Sequence, residues 1–200
     1  MQLSEQELVR RNAKEQMEQL GINPYPSELF PVTHYAKQIK QEFDESKADE
    51  FKEVTLAGRI MSRRIMGSAS FAELQDSTGR IQFYVRRDDI CPDEDKNLYN
   101  TVFKKLIDIG DIVGIKGFVF KTQVGETSVH VTELTVLTKS LKPLPLPKTD
   151  AEGNVHDAFT DPELRYRQRY VDLIVNPKIR ETFKKRTQLV NTMRTYLNDK

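Results

Sequence analysis

The sequence is poor in cysteine, in long apolar runs and in excess charge of one sign. Its single cysteine, Cys91, cannot form an intramolecular disulfide, which favours a reducing compartment. No apolar run approaches the length of a membrane span, and the chain is polar and charged from Gln2 onwards, unlike a secretory signal. We therefore expect a cytoplasmic protein with no membrane partner.

Residues typical of catalytic and metal sites are also scarce. The three histidines, His34, His130 and His156, are scattered and match no metal-ligand spacing. There is no glycine-rich phosphate-binding loop, and the spacing suggests no nucleophile–base pair. A net charge of +1 argues against indiscriminate nucleic-acid binding but leaves room for a local basic face. We expect no catalytic residue, metal or cofactor in these 200 residues.

A long β-rich stretch, residues 54–85, organises the rest of the chain. Apolar and polar residues alternate there with the period of a half-buried sheet, which predicts three consecutive strands. In the third strand, the residues expected to face a core are Ile81, Phe83 and Val85. Gln82 and Tyr84 would then face outwards. Ser77-Thr78-Gly79 predicts the second turn, in which Gly79 is free to adopt positive φ.

A helix and two more strands are predicted downstream. Leu98, Val102, Leu106 and Ile109 recur at helical spacing, which predicts an amphipathic helix closed by Gly110. Residues 111–122 and 127–138 predict a fourth and a fifth strand. Strand, strand, strand, helix, strand, strand is the order of the OB-fold, a five-stranded Greek-key barrel. The fold class is therefore all-β or α+β, although the pattern alone leaves a different small barrel open.

Two helices are expected before the barrel, in an extension over residues 1–52. Ser4 and Glu7 form a capping box for a first helix that stops at Gly21. This helix either docks through a thin apolar stripe or contacts a phosphate backbone. The stripe consists of Val9, Ala13, Met17 and Leu20, and the basic residues are Arg10, Arg11 and Lys14.

The second helix is predicted at residues 33–46, and the charged segment 45–52 is predicted to be a loop. The helix would place Ala36, Ile39 and Phe43 on one side. The barrel domain would follow at residues 53–139.

The composition changes after the barrel. Residues 140–160 form a proline-rich linker, extended at 141–147, with a loose hairpin or disordered loop at 150–157. Residues 161–200 predict helices, of which the last begins at Asn176-Pro177. Its apolar stripe has no cover in the chain and stops at Lys200 in mid-pattern. We therefore expect Lys200 to be an artificial boundary rather than the natural end of the protein.

The helix that follows Asp161-Pro162 is dense in arginine. Consecutive odd positions on a helix do not share a face, so its arginines are expected to make several separate contacts. Salt links to Glu163 and Asp172 are among those expected.

An exposed ring is expected on the outer face of the barrel. If Ala72 and Leu74 point inwards, Phe71 points outwards, which forfeits about 1.5–3 kcal/mol of burial. A nucleic-acid base stacked on this ring would recover about 1–3 kcal/mol. The alternative is a core Phe71, with the alternation displaced by one residue.

Polar residues predicted on the same face suit a single-stranded nucleic acid. Gln82 offers a donor and an acceptor to one base edge, and Arg63 and Arg64 offer cations. Glu133 offers an acceptor to a base imino group, on a weaker spacing argument. Each of these residues has a plain solvated role as its alternative.

Three segments carry a resemblance to a known family. They are GRIMSRRIMGSASFAELQDSTGRIQFYVRRDD, FKTQVGETSVHVTEL, and LTKSLKPLP followed by LRYRQRYVDLI. Together they resemble the N-terminal region of bacterial-type class II lysyl-tRNA synthetases. The last two segments separate this family from the aspartyl and asparaginyl enzymes, which share the barrel.

The resemblance implies that the barrel binds the anticodon loop of tRNA(Lys). Phe71 matches the family's ring that stacks on the central uridine. Gln82 and Glu133 match positions that hydrogen-bond anticodon bases, and Arg63 and Arg64 match an arginine pair near these bases.

The resemblance also implies that the helices of residues 161–200 open a class II catalytic domain, most of which lies outside this chain. The helix from Pro177 onwards is similar to the start of motif 1, which builds the homodimer interface. Motifs 2 and 3, which hold ATP, Mg²⁺ and lysine, are absent, so these 200 residues should bind RNA without aminoacylating it. The fold alone leaves two alternatives, a non-specific single-strand-binding protein and a protein-interaction module. The match disfavours both.

Overall fold

The protein is described by a computed structural model, which covers residues 3–149, 152, 155–156 and 158–200. Its contacts divide the chain into two compact units, one ending at Pro143 and one running from Leu144 to Lys200. The boundary falls within the predicted proline-rich segment, residues 140–160. In it, β6 (Lys148–Thr149) pairs antiparallel with β7 (Val155–His156), and most of the loop predicted at 150–157 lies outside the described residues.

The first unit is built on the predicted five-stranded barrel. Its strands are β1 (Val54–Met66), β2 (Ala69–Gln75), β3 (Arg80–Arg86), β4 (Ile112–Lys121) and β5 (Thr127–Thr138). They close in the order β1-β2-β3-β5-β4, with β3 and β5 parallel and the other pairs antiparallel. This topology confirms the predicted OB-fold.

The predicted alternation places the correct side chains in the core. Ile81, Phe83 and Val85 are fully buried, as are Ile115, Val129 and Val131 of the last two strands. Gly117 allows β4 and β5 to approach closely, because a Cβ at this position would lie 1.8 Å from the carbonyl oxygen of His130. The chain register shifts next to it, between Lys116 and Gly117.

The second turn lies where it was predicted, but it is made without positive φ. Positive φ occurs at Gly67, in the first turn, and not at Gly79. The Asp76 carboxylate accepts hydrogen bonds from the backbone N–H groups of Thr78 and Gly79, at 2.7 and 2.8 Å. This side-chain turn supplies the reversal, so left-handed backbone is not needed at Gly79.

The helix between β3 and β4 is shorter and wider than predicted. A four-residue helix, α3 (Arg87–Ile90), precedes a helix of π type at Leu98–Leu106, so the prediction that the helix runs on to Gly110 was wrong. The carbonyl groups at its end accept from barrel side chains: Arg63 donates to Phe103 and Ile107, and Lys139 donates to Leu106. These bonds replace the ones that a further helical turn would make.

The first helix, α1 (Glu5–Gln19), has the predicted capping box but a different buried face. Ala13 and Met17 are buried, whereas Val9 is 60% exposed and Leu20 is 45% exposed. Arg10 is buried instead, and its guanidinium donates to the carbonyl groups of Ser140 and Ile109, at 3.0 and 2.9 Å. Arg10 therefore attaches the helix to the barrel and is not available to a phosphate backbone.

The second predicted helix is also shorter, at α2 (Ala36–Glu42). Its predicted apolar side, Ala36, Ile39 and Phe43, is buried as expected. The segment predicted as a loop forms a 3₁₀ helix at Glu45–Phe51, which the sequence reading missed. Its last residue, Phe51, is buried with its ring 5.5 Å from that of Phe43, and this contact orders the charged segment before it.

The second unit contains α4 (Pro162–Arg167), α5 (Arg169–Val175) and α6 (Pro177–Asn198). The predicted salt links are present: Arg167 pairs with Glu163, and both Arg165 and Arg169 pair with the buried Asp172. No side chain of α6 is buried, and Met193 and Leu197 of its apolar stripe are more than 60% exposed. Among the helices that the structure describes, none has the length and hydropathy needed to cross a membrane.

Candidate nucleic-acid interface

The strand register aligns outward side chains in two rows, which together we call the outer face. The first row runs across β1, β2, β3, β5 and β4 through Arg64, Phe71, Tyr84, His130 and Phe118. The second row, two residues along each strand, runs through Ser62, Glu73, Gln82, Ser128 and Phe120. Because directly paired residues on one face touch, each row is a continuous band of side chains.

The first row is mainly aromatic. The ring of Tyr84 lies 5.0 Å from that of Phe71, centroid to centroid, and 5.1 Å from that of His130. Phe71 is half-buried while its neighbours Ala72 and Leu74 are buried, so it lies outside the core, as the outward prediction requires. A half-buried ring held at one side by a second ring is suited to stacking a base on its free surface.

A groove of about 730 Å³ lies over this part of the outer face. Its walls include Arg64, Phe71, Gln82 and Phe120, together with residues of the β4–β5 loop such as Glu126. Gly125, at φ +84°, makes the turn in that loop and precedes Glu126 directly. The sequence prediction placed Arg63, Arg64, Phe71 and Gln82 together, and all four border this groove.

Gln82 and Glu126 are among the groove side chains that offer hydrogen bonds. The Gln82 Oε1 atom accepts from the Ser128 hydroxyl at 2.9 Å, and its amide nitrogen has no partner within the described part of the chain. Glu126 binds Lys40 of α2 through one carboxylate oxygen, at 2.9 Å. Its second oxygen remains an acceptor, so the groove presents a donor and an acceptor beside the aromatic surface.

The two neighbouring arginines both border the groove, but they have different environments. Arg64 is exposed, and its guanidinium has no ion-pair or hydrogen-bond partner among the residues described. Arg63 also borders the groove, but its guanidinium donates to the carbonyl groups of Phe103 and Ile107. Burial lowers the pKa of Arg63, and Asp108 and Asp111 oppose this effect. The reason for the difference is that consecutive residues of a strand point to opposite sides.

Glu133 is not brought to this groove. Its carboxylate pairs with Lys116 at 2.7 Å, and it borders a second groove of about 490 Å³ with Phe118 and Lys52. The register shift between Lys116 and Gly117 displaces this part of β5 relative to the aromatic rows.

Sequence reasoning missed four residues of the interface: Phe118, Phe120, Glu126 and His130. Phe118 and Phe120 flank the buried Val119, so period-two alternation in GFVFK was the available signal for both rings. His130 alternates likewise with Val129 and Val131. Glu126 follows Gly125 in a turn, and nothing in its spacing separates it from an ordinary loop residue.

The interface offers the groups that bind unpaired nucleic-acid bases. Its rings offer stacking surfaces, Gln82 and Glu126 offer hydrogen bonds, and Arg64 offers a cation. In the described residues, no group of three or more acidic, histidine or cysteine side chains is arranged to hold a metal ion.

Comparison with known proteins agrees with this geometry. Residues 54–137 match the tRNA anticodon family of OB-fold nucleic acid binding domains. The whole chain is 59% identical to lysine–tRNA ligase from Christiangramia forsetii and 56% identical to that from Porphyromonas gingivalis, and it covers 34% of each. It is 54% identical over 99% of its length to that from Azobacteroides pseudotrichonymphae, of which it covers 39%. The chain thus spans about a third of the length of these curated relatives.

Proposed function

We propose that the outer face of the barrel binds the U-rich anticodon loop of a lysine tRNA. The premise is that the barrel belongs to the OB-fold nucleic acid binding domains and that the chain is a relative of the lysine–tRNA ligases. The observation that carries this proposal is the groove that joins Phe71, Gln82 and Glu126. A ring that shares a groove with hydrogen-bonding side chains suits a splayed, unpaired base, which is how single-stranded RNA is read.

Each residue of the groove has a distinct part in this proposal. The ring of Phe71 stacks on the central base of the anticodon. Gln82 donates from its amide nitrogen to a uracil carbonyl, and the free oxygen of Glu126 accepts from a uracil imino group. Arg64, which is exposed, contacts a phosphate or a base carbonyl and contributes the salt-dependent part of the affinity.

Glu133 and Arg63 have smaller roles in this proposal than the family resemblance implies. Glu133 meets RNA only if the strand reaches the second groove, where its carboxylate already pairs with Lys116. Arg63 acts through its bonds to Phe103 and Ile107, which hold the helix of π type against the strand that carries Arg64.

We further propose that the chain is part of a longer enzyme, because it spans about a third of its relatives. That enzyme would activate lysine with ATP and Mg²⁺ and esterify it to tRNA(Lys) in the cytoplasm. The exposed apolar stripe of α6 would lie in its homodimer interface. The 200 residues themselves would supply tRNA recognition.

The test is binding of the 200-residue chain to two hairpin RNAs, measured by fluorescence anisotropy at moderate salt. One hairpin carries a UUU anticodon in its loop, and in the other the central uridine is replaced by cytidine. A preference of tenfold or more for the first, about 1.4 kcal/mol, supports base recognition by this barrel. Equal binding would leave a non-specific single-strand-binding protein, and no binding would contradict the proposal outright.

A further inference from the structure

The aromatic row extends beyond the groove that contains Phe71. On β4 and β5, the rings of Phe118 and His130 are stacked, with centroids 4.7 Å apart and planes 21° from parallel. Phe118 does not border the first groove but lines the second one. With 38% of its surface exposed, it is one of the large apolar side chains that the barrel leaves accessible to solvent.

The ring beneath Phe118 is held in place on two sides. The His130 Nε2 atom lies 2.6 Å from a carboxylate oxygen of Asp89, and the ring of Tyr84 meets that of His130 nearly edge-on, at 76°. Because His130 is fixed in this way, it supports one face of Phe118 in a defined orientation. A prearranged ring loses little conformational freedom when a ligand stacks on it.

We propose that Phe118, supported by His130, is a second stacking platform, and that it takes the base of a nucleotide next to the anticodon in the same RNA loop. The inference rests on the proposed function, because the RNA must already be bound at Phe71. Successive rings of the row lie on adjacent strands, at 5.0, 5.1 and 4.7 Å between centroids. A single strand that leaves Phe71 along this row therefore reaches Phe118.

The surroundings of Phe118 indicate that stacking, rather than charge, supplies the contribution. In the second groove, Lys116 is paired with Glu133 at 2.7 Å and Lys52 with Asp49 at 2.5 Å. A paired lysine adds little counterion release on binding RNA, whereas any base has a face that can stack on a ring. The platform should therefore raise affinity for the RNA without selecting its sequence.

The experiment is a double-mutant cycle between the protein and the RNA. The wild-type chain and the Phe118→Ala variant are titrated with the UUU hairpin, and with two versions in which one or the other nucleotide next to the anticodon is abasic. We expect Phe118→Ala to weaken binding of the intact hairpin about fivefold to a hundredfold, with the UUU preference and the salt dependence unchanged. One abasic hairpin should weaken wild-type binding similarly and should be insensitive to Phe118→Ala.

Two further variants control for folding and for general surface effects. Phe118→Leu keeps most of the apolar volume without the aromatic face and should lose affinity as Phe118→Ala does. Leu29→Ala removes another exposed apolar side chain, 93% accessible, from the same unit, and it should leave the affinity for each hairpin unchanged. Retention of a wild-type circular dichroism spectrum shows that each variant is folded.

The outcomes separate the platform from the proposed function. The platform would be overturned if folded Phe118→Ala bound the intact hairpin with unchanged affinity. It would also be overturned if the loss of affinity from Phe118→Ala simply added to the loss from each abasic hairpin. Both conclusions would hold even if the UUU preference were observed. Coupling between Phe118 and one flanking base in the absence of a UUU preference would retain the platform and overturn anticodon recognition. Absence of binding to any hairpin would overturn both.

Discussion

The ring of Phe71 lies 5.0 Å from the ring of Tyr84, inclined at 49°, across the pairing of β2 with β3. Tyr84 therefore supports one side of Phe71, and the residues next to Phe71 along its strand account for the local core. Because the core does not depend on Phe71, Phe71→Ala should leave the protein folded. It should cost about 1–3 kcal/mol in binding of the UUU hairpin, the value of a stacked base.

Isothermal titration calorimetry of the hairpin measures this loss. Phe71→Leu is the matched variant, because it keeps apolar volume and removes the aromatic face. If Phe71→Leu bound as tightly as the wild type, stacking would not be the interaction that Phe71 provides.

Arg63 and Arg64 should separate folding from binding. Arg63→Ala removes two hydrogen bonds to carbonyl groups at the end of the helix of π type, and we expect a loss of about 1–3 kcal/mol in the free energy of unfolding. Arg64→Ala removes an exposed cation and should leave this free energy within about 0.5 kcal/mol of the wild type.

RNA binding should depend more on Arg64 than on Arg63, which is the reverse of their order in folding stability. If its guanidinium contacts one phosphate, the slope of log K against log salt concentration should fall by about 0.7 in Arg64→Ala. Urea titration and salt-dependent anisotropy give the two quantities for each variant. Equal effects of the two substitutions on both quantities would argue against the assignment of Arg63 to structure and Arg64 to RNA.

The two candidate carboxylates should differ as well. Glu126 borders the groove of Phe71, whereas Glu133 borders the second groove, paired with Lys116. Glu126→Gln keeps the shape of the side chain but replaces an acceptor oxygen with a donor, so it should reduce the UUU preference about tenfold. Glu133→Gln should leave the preference unchanged. Competition binding with single-base variants of the anticodon tests both, and a larger effect for Glu133→Gln would reverse the assignment.

Gly117 should be far more sensitive to substitution than Gly79. A Cβ at position 117 would lie 1.8 Å from the carbonyl oxygen of His130, a backbone atom that cannot move without separating β4 from β5. Gly117→Ala should therefore cost about 3–5 kcal/mol in the free energy of unfolding. At Gly79 the nearest atom to a Cβ is 4.0 Å away, and φ is not left-handed, so Gly79→Ala should be neutral or stabilising by up to about 1 kcal/mol. Chemical denaturation compares the free energies of unfolding of the two variants. Similar losses in both would contradict the close approach of β4 and β5 at Gly117.

The second unit should lose stability in acid through Asp172. Burial raises the pKa of this carboxyl group. Hydrogen bonds from Asn176 and Arg165, together with the charges of Arg165 and Arg169, lower the pKa by more than burial raises it. The pKa of Asp172 therefore lies below its ordinary value. Such a group stabilises the folded state above the unfolded pKa, and this stability is lost as the pH falls through the folded value. Asp172→Asn should therefore melt lower than wild type at neutral pH, with the difference shrinking below about pH 4.

Thermal melts followed by circular dichroism between neutral and acid pH measure this difference. Glu181→Gln is the matched control, since Glu181 is exposed and, among the described residues, pairs with Lys184 alone, at 3.2 Å. A difference between wild type and Asp172→Asn that does not depend on pH would exclude the proposed role of the ionised carboxylate.

The sequence was sufficient for the barrel because each strand buries one face. Period-two alternation identified the inward residues Ile81, Phe83 and Val85, and hence the outward position of Phe71. Alternation did not give the conformation of the linking segments, because these depend on single distant contacts. The turn at Gly79 depends on the Asp76 carboxylate, and the end of the helix at Leu106 depends on Lys139, 33 positions away.

The same dependence on distant contacts explains which residues of the candidate site could be predicted from the sequence. Phe71 and Gln82 lie on paired strands, at a register that alternation and a short turn predict well. Glu126 reaches the groove from the β4–β5 loop, and Arg63 turns away to carbonyl groups at positions 103 and 107. Such contacts are decided by the three-dimensional path of the chain, which local spacing does not encode.

The most direct test of the account is to locate the central anticodon base on the protein. A UUU hairpin with 5-iodouridine at the central position is bound to the chain and irradiated, and the crosslinked peptide is identified by mass spectrometry. The account predicts a crosslink at Phe71 or at Tyr84 beside it, and its loss in Phe71→Ala. A crosslink confined to α1 or to the helices of the second unit would contradict the account, because the base would then lie away from the outer face of the barrel.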